Sequence, residues 1–194
     1  MGSGFPFSGK LQRFEMGVKG HKPEIRRQNM AKSDSFFIRS AVISNATTYV
    51  DADIDLGSFV NLGVSKSTLL RIHNVSVMVQ DQNTPTQPIV DANEFKINWQ
   101  LTTQKQTVIV SADDKSLVSS GSIQGKAALF YTQDFDVAPQ MWSNGYLIGV
   151  DTMYLATDLS TEIDSGDVQI SIVLECTLEN ATQASSTALA LSQQ

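Results

Sequence analysis

Hydrophobic and polar positions alternate with a period of two over most of this chain, and almost nowhere with the period of a helix. "YVDADIDLG" is the clearest case. Val50, Ala52, Ile54 and Leu56 fall on one side, and Asp51, Asp53 and Asp55 on the other. "FKINWQL" sets Phe95, Ile97, Trp99 and Leu101 inward in the same way. "DVQISIVLECTLE" lines Val168, Ile170, Ile172, Leu174, Cys176 and Leu178 along one wholly apolar face, which predicts a central strand. "SFFIRSAVIS", from Ser35, is rich in β-branched and aromatic residues and predicts another strand. "TLLRIHNVSVMVQ" predicts a longer one with both faces partly apolar. "TVIVS" reads as a short buried strand, and "KAALFYTQDFDV" and "GYLIGVDTMYLAT" as two more.

The separators carry turn chemistry. "DQNTPTQP" holds two prolines, "SADDKS" and "SSGSIQG" are polar or glycine-bearing, "APQMWSNG" ends in Asn144–Gly145, and "DLSTEIDSGD" ends in Ser165–Gly166–Asp167. No amphipathic helix longer than about two turns is expected. The C-terminal "NATQASSTALALSQQ" reads as a frayed tail or a weak helix. The result is about eight strands in roughly 145 residues, too many for one open face without a covering layer. The fold class predicted is all-β: an antiparallel β-sandwich of about eight strands. Loops of unequal length favour a jelly-roll or Greek-key path over an up-and-down barrel.

Before position 34 no period lasts. Gly2, Gly4, Gly9, Gly17 and Gly20 are interspersed with Pro6 and Pro23, which predicts an extended, flexible arm. The organisation expected is an arm over 1–33, a β-domain over 34–180 and a low-complexity tail over 181–194. The net charge of −6 hides a division along the same line. The arm holds seven of the fourteen bases (Lys10, Arg13, Lys19, Lys22, Arg26, Arg27 and Lys32) and two of the twenty acids, Glu15 and Glu24. It is therefore near +5 and the remainder near −11. A basic arm on an acidic body points to an anionic partner for the arm. Its bases, with Phe5, Phe7 and Phe14 among them, suit phosphate neutralisation and stacking on unpaired bases without sequence readout. Met30 offers a second start. Translation from there would keep the β-domain and delete most of the arm.

The 41% hydrophobic content allows a packed core, and no apolar run reaches membrane-span length. The single Cys176 excludes an intramolecular disulfide, and on its apolar face it reads as a small core filler.

Candidate chemistry in the β-domain thins out on inspection. "DADID" spaces Asp51, Asp53 and Asp55 like the opening of a calcium loop, but Leu56 and Leu62 stand where that loop needs glycine and a bidentate glutamate. An acidic strand face is the plainer reading. A weak calcium site completed by a neighbouring subunit is the sharper one. Asp158, Glu162, Asp164 and Asp167 read as a solvated acidic turn. "GVSKST" lacks both glycines of a phosphate loop, with Val60 and Ser65 in their places. There is no G-x-S-x-G elbow. Two histidines, His21 and His73, with one cysteine cannot close a four-ligand zinc site. His73 is expected near the domain edge, on one face with Arg71 and Val75. Asn45, Asn74 and Asn180 fit the glycosylation pattern, but no secretory signal precedes them. No enzyme constellation survives, and a non-enzymatic protein without a cofactor is expected.

A basic arm ("GKLQRFEMGVKGHKPEIRRQNMAK") followed by a strand-rich domain resembles the single jelly-roll capsid proteins of small icosahedral viruses. These include circular single-stranded DNA viruses and small satellite and plant RNA viruses. The resemblance is architectural and spans the chain. It implies an eight-stranded jelly roll, self-assembly into a shell, a virion location after assembly inside the host cell, and an arm turned inward onto a single-stranded DNA or RNA genome. The genome-facing groups would be the seven arm bases. The chain departs from that type in an arm less dense in arginine and a body unusually acidic. The alternative is an oligomeric β-sandwich binding module, for virion attachment or carbohydrate binding, with Trp142 and Tyr146 as an exposed aromatic platform.

Overall fold

The computed structural model describes residues 34–63, 67–87, 89–126 and 141–193. The arm bases and the strand expected over "KAALFYTQDFDV" beyond Lys126 lie outside them. Among the described residues are eight strands and one helix: β1 (Phe36–Ser44), β2 (Val50–Asp55), β3 (Ser67–Asp81), β4 (Glu94–Thr102), β5 (Leu117–Lys126), β6 (Met141–Ile148), β7 (Thr152–Leu159), β8 (Val168–Ala181) and α1 (Gln183–Ser192). They form two four-stranded antiparallel sheets, ordered β1-β8-β3-β6 and β2-β7-β4-β5. Consecutive strands alternate between the two sheets except β4 and β5, which pair with each other. This is the jelly-roll path, and the all-β expectation holds.

The core lies between the inward rows of the two sheets. β8 is central, flanked by β1 and β3, and buries Val168, Ile170, Ile172, Leu174 and Cys176. From the facing sheet come Phe95, Ile97, Trp99 and Leu101 of β4 with Met153, Leu155 and Leu159 of β7. Side chains of this size contribute about 1.5–3 kcal/mol each on full burial. Two antiparallel sheets sharing such a core need no helix between them.

β3 shows why its sequence looks apolar on both faces. The register passes from Ile72↔Cys176 to Asn74↔Glu175, so His73 is an extra residue in a β-bulge. Leu70 and Ile72 point inward before it, and Val75, Val77 and Val79 after it. The expectation that His73 shares a face with Val75 is thus corrected, because the bulge shifts the alternation by one. His73 instead pairs through Nε2 with the Thr177 hydroxyl at 2.9 Å, on the outer face.

Three further expectations are overturned. "SSGSIQG" is no turn but the middle of β5. Its inward glycines oppose the two largest inward residues of β4, Gly121↔Trp99 and Gly125↔Phe95. A Cβ on Gly121 would lie 2.7 Å from Trp99 Nε1, and one on Gly125 2.5 Å from Phe95 Cζ. Small residues here make room for rings that lie across the neighbouring strand. "TVIVS" is no strand: Val108 is 61% exposed. The buried Gln100 amide holds this segment to the outer face of β4, donating to Val108 O and Tyr49 Oη at 3.0 Å each and accepting from Val110 N at 2.9 Å. It satisfies the loop backbone as a partner strand would. "GYLIGVDTMYLAT" divides into the end of β6 and most of β7, around a turn at 149–151.

The C-terminal segment is a docked helix rather than a frayed tail. The Thr182 hydroxyl caps α1 by accepting from Ser185 N. Ser186 is buried and donates to Ser67 Oγ at 3.1 Å. Gln193 donates through Nε2 to Leu147 O at 2.7 Å, and its Oε1 accepts from Gly149 N at 3.0 Å. Its carbonyl accepts from the Thr103 hydroxyl at 2.8 Å. One residue past the helix thereby fixes both the β6–β7 turn and the segment after β4.

Gly121→Val is expected to cost about 1–3 kcal/mol by overpacking. Adding Trp99→Leu should recover part of that loss, a coupling between the two sites that urea unfolding of the single and double variants measures.

Candidate functional site

Strand register sorts the connections to two ends. Residues 45–49, 82–87, 89–93 and 160–167 gather where Ser44, Val168 and Asp81 meet. Residues 56–63, 103–116 and 149–151, α1 and the beginning of β1 lie at the other end. Asp34 and Ser35, which lead from the arm into β1, are exposed. The chain that carries Lys10, Arg13, Lys19, Lys22, Arg26, Arg27 and Lys32 therefore joins the body at the α1 end.

The first end is held by side chains bonded to backbone. Asp81 Oδ1 accepts from Asn83 N and Thr84 N at 2.8 Å each. Asn45 donates to Ile163 O at 3.1 Å and accepts from Ile163 N at 2.6 Å, tying two connections together. Asp91 Oδ1 accepts from Asn93 N at 2.6 Å, and Asp164 Oδ2 from Ala92 N at 2.9 Å. The acids of "DLSTEIDSGD" do not form one cluster, for Asp158 turns instead to Asn98 Nδ2 at 3.0 Å. These groups cap turns, as short polar side chains do.

The three aspartates of β2 stand on its outer side and do not converge. Lys105 Nζ lies 2.9 Å from Asp51 Oδ2 and 4.0 Å from Asp53 Oδ1, and 5.8 Å from the centre of the Tyr154 ring. Asp55 Oδ1 accepts from Gly57 N at 2.8 Å. An ammonium already sits where a shared cation would balance Asp51 and Asp53. Its contact with Asp51 raises the Lys105 pKa above the usual lysine value. Among the described residues no group of three or more His, Cys, Asp and Glu is arranged to hold a metal ion.

Trp142 and Tyr146 meet with ring centroids 5.5 Å apart, and both pack half-buried against the core. Their rings are committed to the body and do not form a free platform. Arg71 carries no motif signal and is not foreseen as a site residue. Its guanidinium bonds to Glu179 of β8, with Nε at 2.6 Å from Oε2, and to the Asn144 carbonyl of β6. It binds three strands on the outer face where Gly145 takes a φ of +72°. A Cβ there would lie 2.5 Å from Arg71 Cγ, so glycine is required twice over.

No family model matches the chain, and no curated protein matches it. Among solved structures, a chain from Desmodium yellow mottle tymovirus is similar over 93% of this chain and 96% of its own, with a TM-score of 0.34 and 7% identity. VP1 of Trichodysplasia spinulosa-associated polyomavirus is similar over 77% of this chain and 98% of its own, with a TM-score of 0.34 and 10% identity. At these scores the likeness carries no weight of its own, and the fold assignment stands on the strand order.

Two chemical outcomes follow. Burial pushes the Cys176 thiol up to about 12, so the native protein should not react with a thiol reagent at pH 8, whereas the urea-unfolded chain should react fully. The backbone N–H of Thr84, with the Ser165 hydroxyl, holds the Asp81 carboxyl below its usual value. A depressed folded pKa gives stability that is present above the unfolded value and lost as pH falls through the folded one. Thermal scans from pH 6 down to pH 2 should therefore show a smaller acid loss of Tm for Asp81→Asn than for the unaltered protein.

Proposed function

We propose that this chain is a structural, non-enzymatic capsid protein that assembles with copies of itself into an icosahedral shell and holds a single-stranded nucleic acid through its N-terminal arm. The observation that carries the reading is the combination of a complete jelly-roll strand order with a +5 segment joined to its first strand. Jelly rolls serve as shell domains, as sugar-binding domains and as metal-dependent cupins. The cupin reading lacks ligands among the described residues, and the sugar-platform reading loses its aromatic pair to the core.

The division of labour runs by position. The body, 34–180 with its docked C-terminal helix, builds the wall. Lys10, Arg13, Lys19, Lys22, Arg26, Arg27 and Lys32 neutralise phosphates from an arm that reaches roughly 100 Å when extended. Seven bases on one arm bind with a salt slope of about −5 on single strands, too weak alone at physiological ionic strength. Many arms in one interior replace affinity with local concentration. The products are virions, assembled inside the host cell. Calcium between subunits would need a ligand set other than the Lys105-paired aspartates alone.

Purified full-length protein should appear as closed particles by negative-stain microscopy and carry nuclease-protected nucleic acid. Deleting the residues up to Ala31 should abolish the nucleic acid and leave particles. Body repulsion and arm binding respond to salt in opposite senses. Particle yield of the deleted form should rise with salt, while nucleic acid retention by the full chain falls. A full-length protein that stays monomeric to hexameric and binds glycans would replace this reading with the binding-module one.

A further inference from the structure

The outer face of the β1–β8–β3 sheet departs from the rest of the body. Phe37, Ala41 and Ile43 of β1 point outward, followed across the sheet by Val173 of β8 and Met78 of β3. Phe37 is 54% exposed, Met78 55% and Ile43 44%. The other outward positions are polar: Asn74, Ser76 and Gln80 of β3, Gln169, Ser171 and Glu175 of β8, and Arg39 of β1; Gln169 Nε2 donates to Ser171 Oγ at 3.0 Å, and Asn74 Nδ2 to Ser76 Oγ at 3.5 Å. Only Arg39 and Glu175 are charged, one of each sign, and the Arg39 guanidinium lies 5.7 Å from the centre of the Phe37 ring. In a body near −11, this face is locally neutral.

Three strands at about 4.8 Å spacing and the six steps of about 3.3 Å from Phe37 to Ile43 give a face of roughly 290 Å² in projection, polar and apolar positions together. Five apolar side chains spread across this face, three of them large and about half exposed, make a patch within the size range that is often functional. The occupant follows from charge. A basic or acidic partner would find no complementary field here, and nothing on the face reads phosphate. A second copy of the same face meets it without net repulsion, apolar residues against apolar residues, with Arg39 and Glu175 available in both copies to balance each other.

We propose that this face is a contact between copies of the chain: a sheet-to-sheet pairing around Ala41, Ile43, Val173 and Met78. The proposal deepens the self-assembly reading by naming one of its contacts. At this size a single pairing is weak, and it gains from the other contacts of a closed assembly.

The test uses the full chain with Ala41→Glu and Met78→Glu together, against Val108→Glu, which adds charge at an exposed site off this face. Circular dichroism and Tm establish that all three proteins fold. Sedimentation velocity and negative stain then read assembly. The expected result is that the double variant shifts at least tenfold in concentration toward free subunits while Val108→Glu assembles as the unaltered protein does. If the unaltered protein forms shells and the double variant forms them equally well, the face proposal falls and the shell reading stands. If the unaltered protein forms only pairs that the double variant splits, the face proposal stands and the shell reading falls. A strict monomer at about 100 µM overturns both. If hydrogen peroxide oxidises Met78 only after removal of residues 1–33, at concentrations where both forms are single subunits, the arm and not a second copy covers the face.

Discussion

Everything in this fold depends on the burial of one apolar row, the inward side of β8, against β4 and β7 of the opposite sheet. Val168, Ile170, Ile172, Leu174 and Cys176 occupy every second position and are all but inaccessible to water. A strand with such a face is stable only at the centre of a sheet and only with another sheet across from it. That requirement puts β1 and β3 on either side of β8 and brings β4, with Trp99 at its middle, to face them. The crossing path between the sheets follows, since neighbours in sequence must supply both layers. The connections then fall at two ends, and the chain before Asp34 enters at one of them.

The size of Trp99 and Phe95 sets the second constraint. Their rings need more width than one strand position offers, and β5 yields it with Gly121 and Gly125. An edge strand built from Ser and Gly is weak by propensity. It persists because the aromatic rings opposite supply the packing its own side chains lack.

This explains which parts of the fold were legible in the sequence. β2, β4 and β8 carry their burial in their own alternation, and each was readable alone. β5 was not, because its glycines make sense only opposite Trp99 and Phe95, and that pairing is a matter of register. The signal was present as two complementary spacings, Phe95-x-x-x-Trp99 against Gly121-x-x-x-Gly125, but only an antiparallel alignment exposes it. "TVIVS" failed for the converse reason: a single side chain, Gln100, supplies the hydrogen bonds that its composition suggested a strand would give. The turn between β6 and β7 was hidden because Gln193, more than forty residues away, satisfies its backbone. For the candidate sites, sequence spacing brought Asp51, Asp53 and Asp55 to one face. Lys105, which approaches two of them, comes from a loop whose path depends on Gln100.

Charge divides this molecule more sharply than secondary structure does. At low ionic strength a body near −11 repels its copies over distances of about 30 Å, and assembly must overcome the whole charge. Near physiological salt the screening length falls to about 8 Å, and only groups beside the contact still matter. Local charge then outweighs net charge in deciding where copies meet. The acidic side chains crowd the loops and the β2 face, where Lys105, backbone amides and water stabilise them. The outer face of β1, β8 and β3 holds one charge of each sign. A strongly acidic body is thereby compatible with self-association, because its charge is concentrated away from the outer face of β1, β8 and β3.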